Sequence, residues 1–352
     1  MGECLSVMPT VCLDSNLPVL LIHNLDPSWT DSDITNVLKE VSFMEAALRG
    51  QGHPVENLAV RDADLVRILK DYNPEEFLVF NWCEGLPGVP HSEALVPELL
   101  EGMNFTYTGS TAEVIELSWD KDRAKRVLSR RGILTPFWRR YESSDIDDWV
   151  DFPAIVKPAH EHCSFGVTPE SVVTDHHELR GRVEHVLDVL GQPALVEQFI
   201  DGREFHVSLF GNGRVKVLPP AEMDFTAFEE MRDRLCTYDS KFTPGSRHYN
   251  GIQLRLPPML TEDESRRLNR IATAAYSAIG CRDYGRVDVR LKDGLFYVLD
   301  VNPNPDISSD TSLVAAAEEA GYSYGEMLSR LVQLAAFRHP KALASLSNQP
   351  AA

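Results

Sequence analysis

Residues 284–306, YGRVDVRLKDGLFYVLDVNPNPD, set Arg286, Asp288, Arg290, Asp300 and Asn302 inside two runs that otherwise read as β-strands. Side chains alternate across a strand, so Arg286, Asp288 and Arg290 share one face of the first run. Phe296, Val298, Asp300 and Asn302 share one face of the second. The turn decides which sets meet. A two-residue Asp-Gly loop pairs Lys292 with Leu295 and sets Asp300 against Val287. A three-residue Lys-Asp-Gly loop pairs Leu291 with Leu295 and sets Arg286 against Asp300. The second register is the expected one, because it gathers Arg286, Asp288, Asp300 and Asn302 on one face with aliphatic residues behind. Two carboxylates and an amide oxygen on rigid strands form a hard-oxygen site suited to Mg²⁺ bound through phosphates. Arg286 beside them can stabilise a developing oxyanion. The plainer alternative is a solvated sheet face whose acids only pair with Arg286 and Arg290, and the hairpin alone leaves both open.

Three lysines bear on that choice. Lys157 ends the apolar run AIVKP, where a cation can meet a phosphate, and Lys121 (WDKD) and Lys241 (YDSKF) stand in similarly unusual settings. Each alone reads as a surface charge; their order relative to the hairpin gives them weight. His160, His162 and Cys163 in HEHCSFG lack a third ligand at metal-binding spacing. Cys83 reads as a buried strand-end residue.

The elements that must hold these groups follow from the hydrophobic pattern. A chain of 352 residues, 43% hydrophobic, can bury a sizeable core in two or three domains. Residues 19–110 alternate strands and helices: PVLLIH and EFLVFNW as buried strands, a helix over 31–49 with Ile34, Val37, Leu38, Val41, Met44 and Leu48 on one face, and another from Asp62 to Tyr72. This is the pattern of a parallel sheet with flanking helices. A helix from Ser118 to Arg131 closes at Gly132. PAIVKP and PALVEQF then read as strands around a helix at 175–190, and GNG at 211–213 as a hairpin turn. A helix begins at Thr261, with Glu264 completing a capping box and Leu268, Ile271, Ala275 and Ile279 forming its buried stripe.

The formal charge of −19 argues against a nucleic-acid binder, so an anionic ligand must be met by locally placed cations. Cysteines at 4, 12, 83, 163, 236 and 281 form no CxxC spacing, which points to a reducing cytosol. PVLLI is too short for a membrane span, and no basic stretch precedes it as in a signal peptide. MGECLS matches a myristoylation pattern at Gly2 and Ser6 with Cys4 nearby, against the plainer reading of a frayed terminus.

Taken in order, FNWCEGLPG, HSEALVPELLE, TGS at 108–110, DKDRAKRVLSRRGILTP, AIVKP, ALVEQFIDGREF, TYDSKF and GRVDVRL…LDVNPNPD resemble the ATP-grasp superfamily. Within it they resemble the D-alanine–D-alanine ligase-like group, over roughly residues 75–335. The resemblance implies an α/β (α+β) architecture: an N-terminal parallel-sheet domain at 19–116, a small central lid domain at 117–203, and a C-terminal domain at 204–338 with an antiparallel metal-binding sheet. Residues 1–18 and 339–352 are expected to be loose ends. It also implies that Lys121 and Lys157 contact ATP, that Glu197, Gln198 and Ile200 line the adenine slot, and that Glu204 binds the ribose. Lys241 would reach the transferred phosphate. Asp288, Asp300 and Asn302 would hold Mg²⁺ (or Mn²⁺), and Arg286 would stabilise the tetrahedral intermediate. A homodimer is implied by resemblance alone.

The expected activity is ATP-dependent ligation of a small-molecule carboxylate to an amine through an acylphosphate, on amino acids, peptides or a related compound. The alternatives are a D-alanine–D-alanine ligase proper, and a catalytically silent ATP-binding module. The chain departs from ligases that join two D-alanines at three places. HNLDPSW stands where they have an HEVS-like stretch with its Glu, His162-Cys163-Ser164 replaces a Gly-Ser-Ser core, and Phe242 rather than Tyr follows Lys241. The first metal-bridging acid, usually Glu, is Asp300. The HEHCSFG loop reads as a cover for the triphosphate.

Overall fold

The computed structural model describes residues 17–342, without the side chain of Phe242. The myristoylation pattern at Gly2 and Ser6, with Cys4, lies outside the described residues. The chain forms two compact units: one takes the chain up to Thr108 and again from Ser323, the other spans Gly109–Tyr322.

The first unit is built on a parallel sheet of β1 (Val19–Asn24), β2 (Val55–Val60), β3 (Leu78–Trp82) and β4 (Thr106–Tyr107), in the order β2-β1-β3-β4. Val19 to Ile22 are fully buried, as strands covered on both faces must be. The helix Asp31–Gly50 buries Val41, Met44 and Leu48, while Leu38 of the expected stripe is exposed. The second expected helix is only Leu65–Leu69, since Asp64 caps it and Asp62 holds the Asp64 amide in a turn. The helix Tyr324–Ala336, read from the sequence as part of the last domain, belongs to this first unit. Tyr324 stacks on Phe43 at 4.9 Å, and the Ser329 Oγ lies 2.8 Å from the His53 ring. His339 beyond it is fully buried.

The second unit contains two antiparallel sheets. The smaller has the order β5-β8-β6-β7, from β5 (Trp138–Tyr141), β6 (Ala154–Pro158), β7 (Val172–Val173) and β8 (Ala194–Gln198). The helix His176–Asp188 covers it through Leu179, Val183 and Val186. The larger sheet has the order β12-β11-β9-β13-β14, with β9 (Arg203–Phe210), β10 (Lys216–Val217), β11 (Ala221–Asp224), β12 (Gln253–Arg255), β13 (Tyr284–Lys292) and β14 (Leu295–Asn302); β10 pairs with β9. Its covering helix, Glu262–Ile279, has the expected Thr261–Glu264 capping box. The helix expected over Ser118–Arg131 is two helices, Ala112–Trp119 and Lys121–Arg130. Asp120 breaks the run in an extended conformation and caps the second through the Arg123 amide.

Gly202 joins β8 to β9 where a Cβ would sit 2.3 Å from the Leu291 carbonyl oxygen. Gly202→Ala is therefore expected to cost about 1–3 kcal/mol, the usual scale of an overpacked site. A denaturant midpoint equal to that of the parent would show that the strands can part without cost.

Candidate active site

The hairpin β13–β14 differs from the expected register in an instructive way. Its turn is the two-residue one: Lys292 pairs with Leu295, and Asp293 and Gly294 have φ of 50° and 75°. That register alone would separate the acids. A bulge at Leu299, between the pairs Val289–Val298 and Asp288–Asp300, shifts β14 by one residue and brings them back. Asp288 thus lies directly opposite Asp300, and Arg286 opposite Asn302 rather than Asp300. The four polar side chains share a face because of the bulge, not the loop length.

The geometry around these groups is charged and desolvated. Arg286 donates to both Asp288 oxygens, at 2.7 and 2.9 Å, and Asn302 Nδ2 donates to Asp288 Oδ2 at 3.1 Å. Burial would raise the Asp288 carboxyl, but Arg286 beside it wins and holds it below the usual carboxylate range. Asp300 is the reverse case. Burial raises it, the Asp288 charge adds to that, and Lys121 and Lys157 offset only part. Its Oδ1 accepts from the Val301 amide at 3.0 Å.

A cleft between the two sheets of this unit, about 850 Å³ including space open to solvent, is lined by Asp288 and Asp300 together with Lys121, Lys157, Lys241, Glu197, Gln198, Ile200 and Glu204. Nine of the eleven expected site residues therefore come together on one cavity. Arg286 and Asn302 form the next pair on the same face, two residues along each strand, and both bond Asp288. Lys157 and Lys125 flank the Glu197 carboxylate at 3.3 and 3.4 Å. Burial opposes its ionisation, yet these two ammoniums keep it below its ordinary value, and its Oε1 has no hydrogen-bond partner among the described residues. Lys121 donates to the Glu161 carbonyl, and Lys241 to Ser164 Oγ at 3.0 Å. His162 and Cys163 also line the cleft. Burial first, then Lys121 and Lys241, push His162 down to about 3, so it stands neutral with its ring edge-on to Trp119. Cys83 is buried, as expected of a strand end, and burial pushes its thiol up to about 12.

A family model described as the C-terminus of D-ala D-ala ligase matches residues 136–333. The chain belongs to the D-alanine–D-alanine ligase-like ATP-grasp family. It is a ligase that forms a carbon–nitrogen bond. An uncharacterized protein of Sinorhizobium fredii (strain NBRC 101917 / NGR234), y4sG, is 33% identical over 84% of this chain and 86% of its own length. The D-alanine–D-alanine ligase of Desulforudis audaxviator is 30% identical over 82% of this chain and 90% of its own. The D-alanine–D-alanine ligase of Bacillus anthracis, solved in complex with ATP, has the same fold, with a TM-score of 0.70 at 22% identity over 92% of this chain and 99% of that one. Among the described residues of this ATP-grasp ligase, no helix is long and apolar enough to cross a membrane.

Sequence reasoning missed four groups in the cleft region. Lys125 is one helical turn beyond Lys121 in DKDRAK, a spacing that could have flagged it. His206 shares a strand face with Glu204, and its Nε2 lies 3.6 Å from Glu204 and 4.0 Å from Asp288. Arg290, read only as a plain ion-pair partner of the hairpin acids, bonds Glu204 instead, at 2.8 Å. Cys236 brings its sulfur, with Glu204 and His206, into a trio of potential metal donors within 4.8 Å of one another. Arg290 already neutralises Glu204 there, which disfavours adding a dication to the same carboxylate.

Proposed function

We propose that this ligase transfers the γ-phosphoryl group of ATP to a substrate carboxylate and joins the resulting acyl group to an amine, with D-alanine the best-supported substrate for both positions. The observation that carries the reading is the meeting of three cleft lysines with the in-register pair Asp288–Asp300 at one cavity. A carboxylate oxygen attacks the γ-phosphorus and ADP leaves. The amine nitrogen then attacks the acyl carbon, phosphate leaves, and the amine gives up a proton. Lys157 and Lys241 would hold the phosphates, and Lys121 would contact the nucleotide with them. Glu197 Oε1, a buried acceptor without a partner among the described residues, suits the adenine amino group beside Gln198 and Ile200. Glu204 would accept from the ribose.

The residues present also fit a hard divalent cation. Asp300 is a buried carboxylate whose charge its lysine neighbours offset only in part, and it faces a second carboxylate and an amide. Asp288, Asp300 and Asn302 would hold Mg²⁺, or Mn²⁺ on the same donors, and the ion when bound would offset phosphate charge. Arg286 would lie beside the oxyanion of the second step.

The relatives named D-alanine–D-alanine ligase favour D-alanine over an unspecified amino acid. A second reading, a carboxylate donor other than D-alanine, rests on the HNLDPSW, His162-Cys163-Ser164 and Phe242 departures. Asp26, the acid nearest the missing Glu in sequence, has both oxygens engaged: Oδ1 accepts from Ser28, and Oδ2 accepts from the Gly88 amide at 2.8 Å. Phosphate release with ATP and Mg²⁺ across a panel of D- and L-amino acids, with mass spectrometry of the products, decides between them. D-alanine-dependent release with D-alanyl-D-alanine as product is the expected result. Release with another pair, and none with D-alanine, would establish the second reading.

A further inference from the structure

Arg290 is a buried guanidinium that ties together segments far apart in sequence. Its Nε donates to Glu204 Oε2 at 2.8 Å, its Nη1 to the Ile200 carbonyl at 2.7 Å, and its Nη2 to the Arg234 carbonyl. The fork is held between aromatic rings, 4.8 Å from the centroid of Phe199 and 5.5 Å from that of Phe225. An ion pair buried this deeply adds little net stability over apolar packing of the same volume, so its consequence is geometric. A lysine could not reproduce it, because a single ammonium lacks the planar fork that meets three acceptors in fixed directions.

Glu204 spends Oε2 on Arg290, while Oε1 has the His206 Nε2 at 3.6 Å with the Cys236 thiol close by, and its second lone pair keeps acceptor capacity toward the cleft that Glu204 lines. An ionised carboxylate is acceptor-only, so it suits a donor pair such as vicinal sugar hydroxyls. We propose that Arg290 is a positioning residue that fixes the Glu204 carboxylate, and that the two together make the cleft select ribonucleoside over 2′-deoxyribonucleoside triphosphates. This rests on the placement of the nucleotide ribose at Glu204 described above. The same fork holds the Ile200 carbonyl, so adenine slot and ribose acceptor are set by one side chain.

The test is titration calorimetry of ATP and 2′-deoxy-ATP with Mg²⁺ in the absence of amino acids, on the parent chain, Glu204→Gln, Arg290→Met and Arg290→Lys. The parent is expected to prefer ATP by roughly 10- to 100-fold, the scale of one hydrogen bond to a charged acceptor. Glu204→Gln and both Arg290 variants are expected to lose that preference. Arg290→Lys keeps the charge and most of the volume, so it answers the question if Arg290→Met fails to fold. A role in stability alone would lower affinity for both nucleotides alike and leave the ratio in place, which overturns the proposal. A parent without preference, or a Glu204→Gln variant that keeps it, removes Glu204 from the ribose and takes the proposal with it. Loss of preference in Glu204→Gln with retention in both Arg290 variants overturns the Arg290 role alone.

Discussion

Asp288→Asn and Asn302→Ala are each expected to abolish turnover while leaving the fold standing. Asp288 and Asp300 are direct register partners, and Asn302 is the next residue on the same face of β14. Asn302 spends its amide nitrogen on Asp288 Oδ2 at 3.1 Å, which leaves its oxygen for a cation. Removing that oxygen, or one negative charge from the pair, takes a hard donor away where phosphate charge must be offset. The loss should exceed the roughly 10- to 100-fold seen when only an outer-shell partner of a metal ligand is removed. Asn302→Ala is the cleaner of the two, because Asp288→Asn also leaves the Arg286 guanidinium without its carboxylate. Phosphate release titrated with Mg²⁺, beside a thermal melt, checks both variants. Parent-like release from folded Asn302→Ala would remove that residue from the ligand set.

The polar face of the hairpin was legible in the sequence, but the way it forms was not. Alternation identifies Arg286, Asp288, Asp300 and Asn302 as a set, since period 2 is a local property. A bulge depends on how the neighbouring strands twist, and Leu299 has no side-chain signature that marks it. The Asp-Gly turn signal was correct, and reasoning from a bulge-free ladder led away from it. Asp120 shows a similar limit. Helical periodicity runs through it, and only its capping bond to the Arg123 amide reveals the break. The helix Tyr324–Ala336 was not singled out in the sequence, and its place in the first unit depends on contacts such as Tyr324 on Phe43, distant in sequence. Arg290 was visible on the right strand face. Its partner Glu204 lies 86 residues away, and nothing local pairs the two.

Arg286→Ala should reduce product formation by at least roughly a hundredfold, the scale of losing one oxyanion donor. Two effects of this residue must be separated. Arg286 holds Asp288 in a two-pronged ion pair, and its positive charge keeps that buried carboxylate ionised against desolvation. It also brings a guanidinium to the polar face two residues along β13 from the Asp288–Asp300 pair. Alanine removes both, so affinity for ATP with Mg²⁺ should fall to some extent through Asp288, but far less than turnover. Arg286→Lys divides them. A lysine can still neutralise Asp288, so nucleotide affinity should approach that of the parent, while the lost fork geometry should keep turnover depressed. Nucleotide affinity by calorimetry and product formation by mass spectrometry, on the same preparations, supply both readouts. If affinity and turnover fall together in Arg286→Ala and recover together in Arg286→Lys, Arg286 acts only by supporting Asp288, and the oxyanion role is lost.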